Sequence, residues 1–335
     1  MGKVDVHHHW IPEEHVTNIE QYVRAGDTVK TVELSDGQTA RRVMREGMRL
    51  ITLEDSMYDM DARVQRMDEA DVDAAVVSAA GWTNFCDTLE MSREYNDLLA
   101  EAIAEYPDRF IGAAEVPVGT EYAADELYRA VEELGFGAVN ICTHAHGYLP
   151  DEECYFDLYE AAEELDVPVL VHIAPEPIPQ RGMHEYDMSR TVGRPFSHHV
   201  VVGRLLRSDV LERFPDLQFV HGHLGGTFMP SVFRYFDNEE SLESRTVATD
   251  DDFGLTREEF EDRMDNFLFA TTFWDQPGIQ YATETLGTHR MAFGTDYPIR
   301  EEIIGEMADT IDALDVSERE RERIRRDNAA QLFDV

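Results

Sequence analysis

An α/β fold, specifically a closed (β/α)8 TIM barrel with insertions after its first and fifth strands, is what the sequence predicts. Three observations point there. From about residue 60 onward, short apolar runs alternate with amphipathic helical patterns, the signature of repeated βα units. Eight such runs occur along the chain, the number that closes a barrel. Side chains able to hold a metal also recur where these runs end.

The first run, VDVHHHW (4–10), contains three consecutive histidines. Tag histidines lie in polar tails, whereas these follow alternating Val4 and Val6 and precede Trp10, Ile11 and Pro12, the context of a buried strand. Successive strand side chains point to opposite faces, so His7 and His9 share one face while His8 packs under the helix layer. The other strand candidates are AAVVSAA (74–80), FIGAAEV (110–116), AVNIC (138–142), VLVHI (169–173), LQFVHGH (217–223), FLFA (267–270) and MAFG (291–294). Between them, residues 123–134, 155–165 and 278–286 carry helical periodicity, and Pro107, Pro168 and Pro215 mark helix-to-strand junctions.

Two segments, about 13–58 and 174–195, fail to fit the repeat. Both follow strands. Barrel active sites are built from loops after strands, so these insertions are expected to wall or cover a substrate pocket. The run APEPIPQ (174–180) reads either as a rigid rim of that pocket or as a plain surface loop. The closing stretch 317–332, rich in Arg and Glu, reads as an exterior helix. No linker divides the chain, so residues 1–335 are expected to form one domain.

Composition narrows the function classes. Sixty-nine acidic residues face 29 basic ones, a formal net charge of -40, and Lys3 and Lys30 are the only lysines. Such a balance excludes a nucleic-acid binder. The acid is spread over helical stretches rather than gathered in a tail, and the composition resembles that of halophile proteins, whose surface repulsion is screened by salt. No run of about 18 apolar residues and no basic-then-apolar leader occurs, so a soluble cytoplasmic protein without a membrane partner is expected. Cys86, Cys142 and Cys154 are odd in number and lack metal-ligand spacing, which reads as core packing.

The chemistry-bearing residues collect at strand ends. His7 and His9 end the first strand, His172 the fifth and His223 the sixth, and Asp296 follows the eighth. In a barrel these positions converge on one face and can ring a single cation. His221 shares a strand face with His223, and its own ligation from a deeper layer stays open at this level. Further rim candidates for substrate contact are His144, Trp82, Arg194 and Tyr297, together with Trp274 and Arg300. Glu115 reads as a metal-shell carboxylate, a partner for a ligand histidine, or a buried salt-bridge acid. His198 and His199 read as structural, and His146 has no assigned role.

DVHHHWIP (5–12), MDEADVDAAVVS (67–78), YPDRFIGAAEVP (106–117), THAHGYLPDE (143–152), VPVLVH (167–172), FPDLQFVHGHLGG (214–226) and GTDYP (294–298) together resemble the amidohydrolase-2 group of the amidohydrolase superfamily. That group includes aminocarboxymuconate semialdehyde decarboxylase and the resorcylate and carboxyvanillate decarboxylases. The resemblance implies a divalent ion, Zn2+ foremost with Mn2+ as the alternative, held by His7, His9, His172 and Asp296. It also places His223 beside the reacting species, with His223 and Asp296 as the catalytic pair. The implied reaction is non-oxidative decarboxylation of a small aromatic or muconate-like carboxylic acid. Hydrolysis or hydration of a small cyclic or unsaturated acid is the enzymatic alternative, and a non-catalytic metal-binding barrel is the other class. The implied partner is the small acid itself, and a homodimer is one admissible assembly. In the aminocarboxymuconate enzymes, an arginine that engages substrate carboxylates lies in the segment corresponding to ITLEDSMYDMDAR (51–63), which is acidic here.

Overall fold

A computed structural model of the chain describes residues 2–34, 37–79, 87–178, 182–183, 185–235, 255–272, 275–300 and 302–335. Strand β1 (Lys3–His9) opens the barrel; β2 (Asp27–Glu33), β3 (Thr39–Arg45) and β4 (Met48–Leu53) form a separate antiparallel sheet within the first insertion. The barrel continues with β5 (Val72–Ser78), β6 (Phe110–Glu115), β7 (Ala138–Cys142), β8 (Val169–His172), β9 (Phe219–His221), β10 (Phe267–Ala270) and β11 (Met291–Ala292). These eight barrel strands pair in chain order, all parallel. The seam is closed by backbone hydrogen bonds from Val6 N to Phe293 O (3.0 Å), His9 N to Tyr297 O (2.8 Å) and Asp296 N to His7 O (2.8 Å). The expected eight-stranded α/β barrel is thus the observed one.

Strands buried on both faces have no need of polar alternation, and β5, β7 and β8 are accordingly near-continuous apolar runs. Inside the barrel, Val4, Val76, Leu170, Val220 and Leu268 pack against small residues such as Ala113, Ala138 and Ala292. The larger core lies between the strands and the helix layer. Helix starts carry the expected chemistry: Thr88 accepts from Met91 N at the head of the helix Leu89–Ala104, and Asp275 accepts from Gly278 N before Gln276–Leu286. The exterior helix read at 317–332 begins with a Ser317–Glu320 capping box and runs through Glu318–Glu322, a π turn at Arg323–Asp327 and Asn328–Phe333. Buried Ile324 anchors it.

Two boundaries differ from expectation. The sixth and eighth barrel strands are shorter than their apolar runs, because the chain turns away at Gly222 and Phe293 to present His223 and Asp296. The first insertion is also more ordered than a loop: β3 and β4 are joined by Glu46 (φ 47) and Gly47 (φ 85), a tight hairpin turn that needs positive φ at both positions. No described helix is long and apolar enough to cross a membrane.

Candidate metal centre and substrate cavity

Asp5 prepares the site before any ligand is considered. Its buried carboxylate accepts from His7 N (3.0 Å), Thr295 N (3.1 Å) and Thr295 Oγ1 (2.5 Å), and lies 3.0 Å from His8 Nδ1. One acid therefore ties the end of β1 to the segment that carries Asp296. Fully buried Arg63 adds a second tie, donating to the carbonyl of His9 (2.7 Å). His8 turns away from the barrel axis, stacks on Tyr297 (4.9 Å) and is held near pKa 4 by burial.

His7, His9, His172 and Asp296 then converge: one ligand atom from each lies within 4.8 Å of all the others. Asp296 Oδ1 is 2.9 Å from His9 Nε2, 3.2 Å from His7 Nε2 and 3.9 Å from His172 Nε2. His172 Nδ1 lies 2.9 Å from the carbonyl of Ile173, so that nitrogen carries the proton and Nε2 keeps its lone pair for a cation. His9 Nδ1 is held by the Ser78 hydroxyl at 3.2 Å, fixing its ring in the same way. His7 Nε2 is buried and out of hydrogen-bond geometry despite its closeness to Asp296. An inward lone pair with no donor is costly unless an ion takes it, and three imidazoles with one carboxylate suit a divalent ion such as zinc. These residues fit a divalent metal.

Local backbone makes room for the cluster. A Cβ at Gly222 would lie 2.4 Å from His7 Cε1, so only glycine lets that ring reach the centre. His223 and Asp296, both non-glycine, are held at φ 53 and φ 66. Such left-handed residues persist only where the surroundings impose them, and they concentrate at functional sites. Behind His223, Gly226 (φ 69) touches Pro195 so closely that a Cβ would fall 1.9 Å from its carbonyl oxygen. This pins the His223 turn to the second insertion.

The His223 ring sits 5.2 Å from His7 and 5.9 Å from His172, beside the cluster. Burial is the main cause that brings its pKa down to about 3, with Asp296 opposing and His7, His9 and Arg194 adding to the drop. Asp296 behaves oppositely: burial would raise it, but the rings of His172, His7 and His9 gathered around its carboxylate outweigh burial and hold it well below the usual carboxylate range. The centre thus combines a neutral imidazole with an ionised carboxylate.

Over the cluster opens a cavity of about 590 Å³, lined by His9, His172, His223 and Asp296. Both insertions wall it, the first through residues such as Arg49 and Thr52, the second through Pro175, Arg190 and Arg194. Arg194 joins the two, donating to the carbonyls of Pro175 (3.0 Å) and Leu50 (3.3 Å). Other rim candidates lie elsewhere. His144 donates to the Glu176 carbonyl (2.8 Å), Tyr297 packs between His8 and Arg63, and Arg300 pairs with Glu306, and none of the three lines the cavity. Trp82 and Trp274 lie outside the described residues. His221 stacks on Phe267 (5.5 Å) and Phe269 (5.9 Å), below the cluster rather than in it. Glu115 accepts from Ala79 N (3.1 Å) and Asn140 Nδ2 (2.7 Å), a hydrogen-bonded carboxylate in the wall. Sequence reasoning passed over Asp5, although it shares the parity of His7 and His9. It also passed over Arg42 and Arg190, which carry no signal apart from lying in the insertions.

The amidohydrolase family model matches residues 4–335. The chain belongs to the amidohydrolase family. Among curated relatives of this amidohydrolase is a gamma-resorcylate decarboxylase from Polaromonas, 30% identical over 298 residues, covering 82% of this chain and 86% of the relative. A 2-amino-3-carboxymuconate-6-semialdehyde decarboxylase from Dictyostelium discoideum is 25% identical over 99% of this chain and 91% of its own length. Among solved structures, a dihydroxybenzoic acid decarboxylase from Polaromonas with bound manganese and 2-nitroresorcinol superposes with a TM-score of 0.78 at 26% identity. That match covers 99% of this amidohydrolase and 97% of the other chain.

Proposed function

We propose that this amidohydrolase is a metal-dependent, non-oxidative decarboxylase of a small aromatic or muconate-like carboxylic acid. The observation that carries the reading is the buried His7–His9–His172–Asp296 cluster at the floor of a cavity, with neutral His223 beside it. Likeness to the three decarboxylases supports it. His7, His9, His172 and Asp296 would hold the ion, Zn2+ on the nitrogen-rich donor set, with Mn2+ as the alternative favoured by the manganese-bound relative. When bound, that ion supplies positive charge that orients the acid and stabilises negative charge as it develops.

The protein's own groups handle the proton. Asp296, ionised in the unliganded site, takes one proton from solvent when the substrate carboxylate brings a second negative charge beside it, and passes that proton from its carboxyl oxygen to the carbon that carries the departing group. A C–H bond forms, the C–C bond breaks, and its electron pair restores the unsaturated system as carbon dioxide leaves. His223, neutral and in a fixed turn, orients the departing carboxylate through its ring N–H. The two insertions wall the cavity in which this exchange takes place.

Carbon dioxide released by the metal-loaded protein from a panel of hydroxybenzoates and muconates is the test. Release above the metal-free level is the expected result. Water-addition or ring-opened products without carbon dioxide would move the assignment to a hydratase or hydrolase, and no turnover to a metal-binding barrel. As further parts of this reading, residues 1–335 act as one domain, in the cytoplasm, as a homodimer. The -40 charge is read as salt adaptation. Raising salt from about 0.1 M to above 1 M is therefore expected to raise the Tm, because the screening length falls from about 10 Å to 3 Å. A Tm indifferent to salt would assign the acidic surface another purpose.

A further inference from the structure

Two adjacent histidines on one helix meet very different surroundings. The helix Arg194–Arg207 packs on the turn that carries His223, through residues spaced three and four apart: Pro195, His198, His199 and Val202. The Pro195 carbonyl accepts from Thr227 N (3.3 Å), and Val202 stands 3.3 Å from where a Cβ on Gly225 would lie. His199 has both ring nitrogens engaged, Nδ1 at 3.1 Å from Thr227 Oγ1 and Nε2 at 3.1 Å from Ser231 Oγ, and so fits the structural role read from the sequence. His198 does not. It is wholly buried, and neither of its ring nitrogens has a hydrogen-bond partner among the described residues.

An imidazole placed in an apolar layer forfeits the hydrogen bonds that water gave it, a loss that a leucine of similar size avoids. Burial holds His198 well below the usual histidine range, so the ring stays neutral, with one N–H to give and one lone pair to receive. Its ring neighbours are His221 at 6.0 Å and His223 at 5.6 Å. His221 already belongs to a stack with Phe267 and Phe269. His223 is the group beside the metal cluster. Two imidazoles that share one N–H···N bond stand about 5.2 Å apart between ring centres. The observed 5.6 Å is close to that, and the broad torsion about Cβ–Cγ lets the His198 ring aim a nitrogen at its neighbour without moving the backbone.

Resting on the decarboxylase reading for what His223 does, we infer that His198 is a positioning residue for that reaction, through a ring-to-ring hydrogen bond with His223. His198 donates its N–H to the rear nitrogen of His223, which leaves the proton of His223 on the nitrogen that faces the cavity. A neutral imidazole without a partner divides between two tautomers, and only one of them offers a donor to the departing carboxylate. A partner behind the ring selects that one, as the Ile173 carbonyl does for His172 and the Ser78 hydroxyl for His9. His198 neither lines the cavity nor joins the four converging ligands. It is a polar ring kept in the helix–sheet layer for orientation, at the expense of stability.

In the zinc-loaded protein, His198→Leu is expected to lower kcat for carbon dioxide release about 10- to 100-fold, the range for losing a group that orients a working side chain, with KM and metal content unchanged. Its urea midpoint should be equal or higher, because a buried ring without partners gives way to an apolar side chain. A merely structural histidine would do the reverse, losing stability and sparing kcat. His198→Asn and His198→Gln each keep an amide donor, and one of the two should recover part of kcat. Unchanged kcat in His198→Leu, a kcat loss that tracks a lowered midpoint or lost zinc, or no recovery in either amide overturns the inference. Nitrogen-15 spectra of the histidine rings read the same bond without turnover: His223 should be a single tautomer in the unsubstituted zinc-loaded protein and a mixture in His198→Leu. A mixture in the unsubstituted protein, or a single tautomer that survives His198→Leu, overturns the inference as well. A single tautomer lost in His198→Leu, in a protein that releases no carbon dioxide from any acid, would leave the ring pair standing and remove the decarboxylase reading.

Discussion

Replacing His223 with Asn is expected to leave the metal in place and lower turnover about 100- to 10,000-fold, the range for loss of a positioned acid/base or orienting group. His223 lies next to the ligand rings without being one of the converging four, which is why metal and activity should part company here. His7→Ala removes a ligand and should empty the site. His8→Ala, on the opposite face, should keep its metal even though the loss of a fully buried ring lowers stability. Metal analysis beside turnover separates these outcomes. Equal metal content in His7→Ala and His8→Ala would sink the ligand assignment, and metal loss in His223→Asn would make that residue a ligand.

The second large effect is acid lability of the metal-free protein. His8, His221 and His223 are buried and neutral, and burial drives their pKa values down to about 4, 3 and 3. In the unfolded chain each takes up a proton near pH 6.5, so between 6.5 and these folded values the unfolded state binds more protons. Stability therefore rises with pH through that window and is lost as pH falls through it, by about 1.4 kcal/mol per pH unit for each histidine. The three together approach about 4 kcal/mol per unit, a large share of a typical total stability of about 5–15 kcal/mol. Urea midpoints at pH 6.5 and pH 5, in constant high salt, should differ accordingly, above the range where most carboxylates titrate. His221→Phe should flatten the slope, since its ring already stacks between phenylalanines. Identical midpoints for the parent protein at the two pH values would show that these imidazoles take up protons in the folded state as readily as in the unfolded one.

Why the barrel was readable, and parts of the site were not, follows from what each feature writes into sequence. A strand buried on both faces must be apolar throughout, so β5, β7 and β8 are visible as runs, and a ligand at a strand end is visible as a histidine closing such a run. His7, His9 and His172 are of this kind. The β2–β4 sheet also left a trace, the alternation TVKTVE followed by a turn at Glu46–Gly47, but it lies outside the βα repeat and reads as an insertion. Tyr297 shows the opposite failure. Its place beside Asp296 suggested a pocket wall, whereas the reversal after β11 turns it toward His8 and Arg63. Arg194 was legible as a charge in a loop after a strand, but Arg42 and Arg190 are silent in sequence, because what brings them to the cavity is the folding of the two insertions, a property of space rather than of spacing.

The clasp made by Asp5 and Thr295 has a consequence for how the site comes into being. These residues stand 290 positions apart, and the ligands beside them, His9 and Asp296, stand 287 apart. A chain still missing its last βα unit has the histidines of β1 but no carboxylate to set against them. The complete set of four ligands therefore exists only once the final strand docks on the first. Metal retention then becomes a gauge of completed closure, and a lesion at the seam, such as Thr295→Val, would show as a leaky site before it showed as lost helical content.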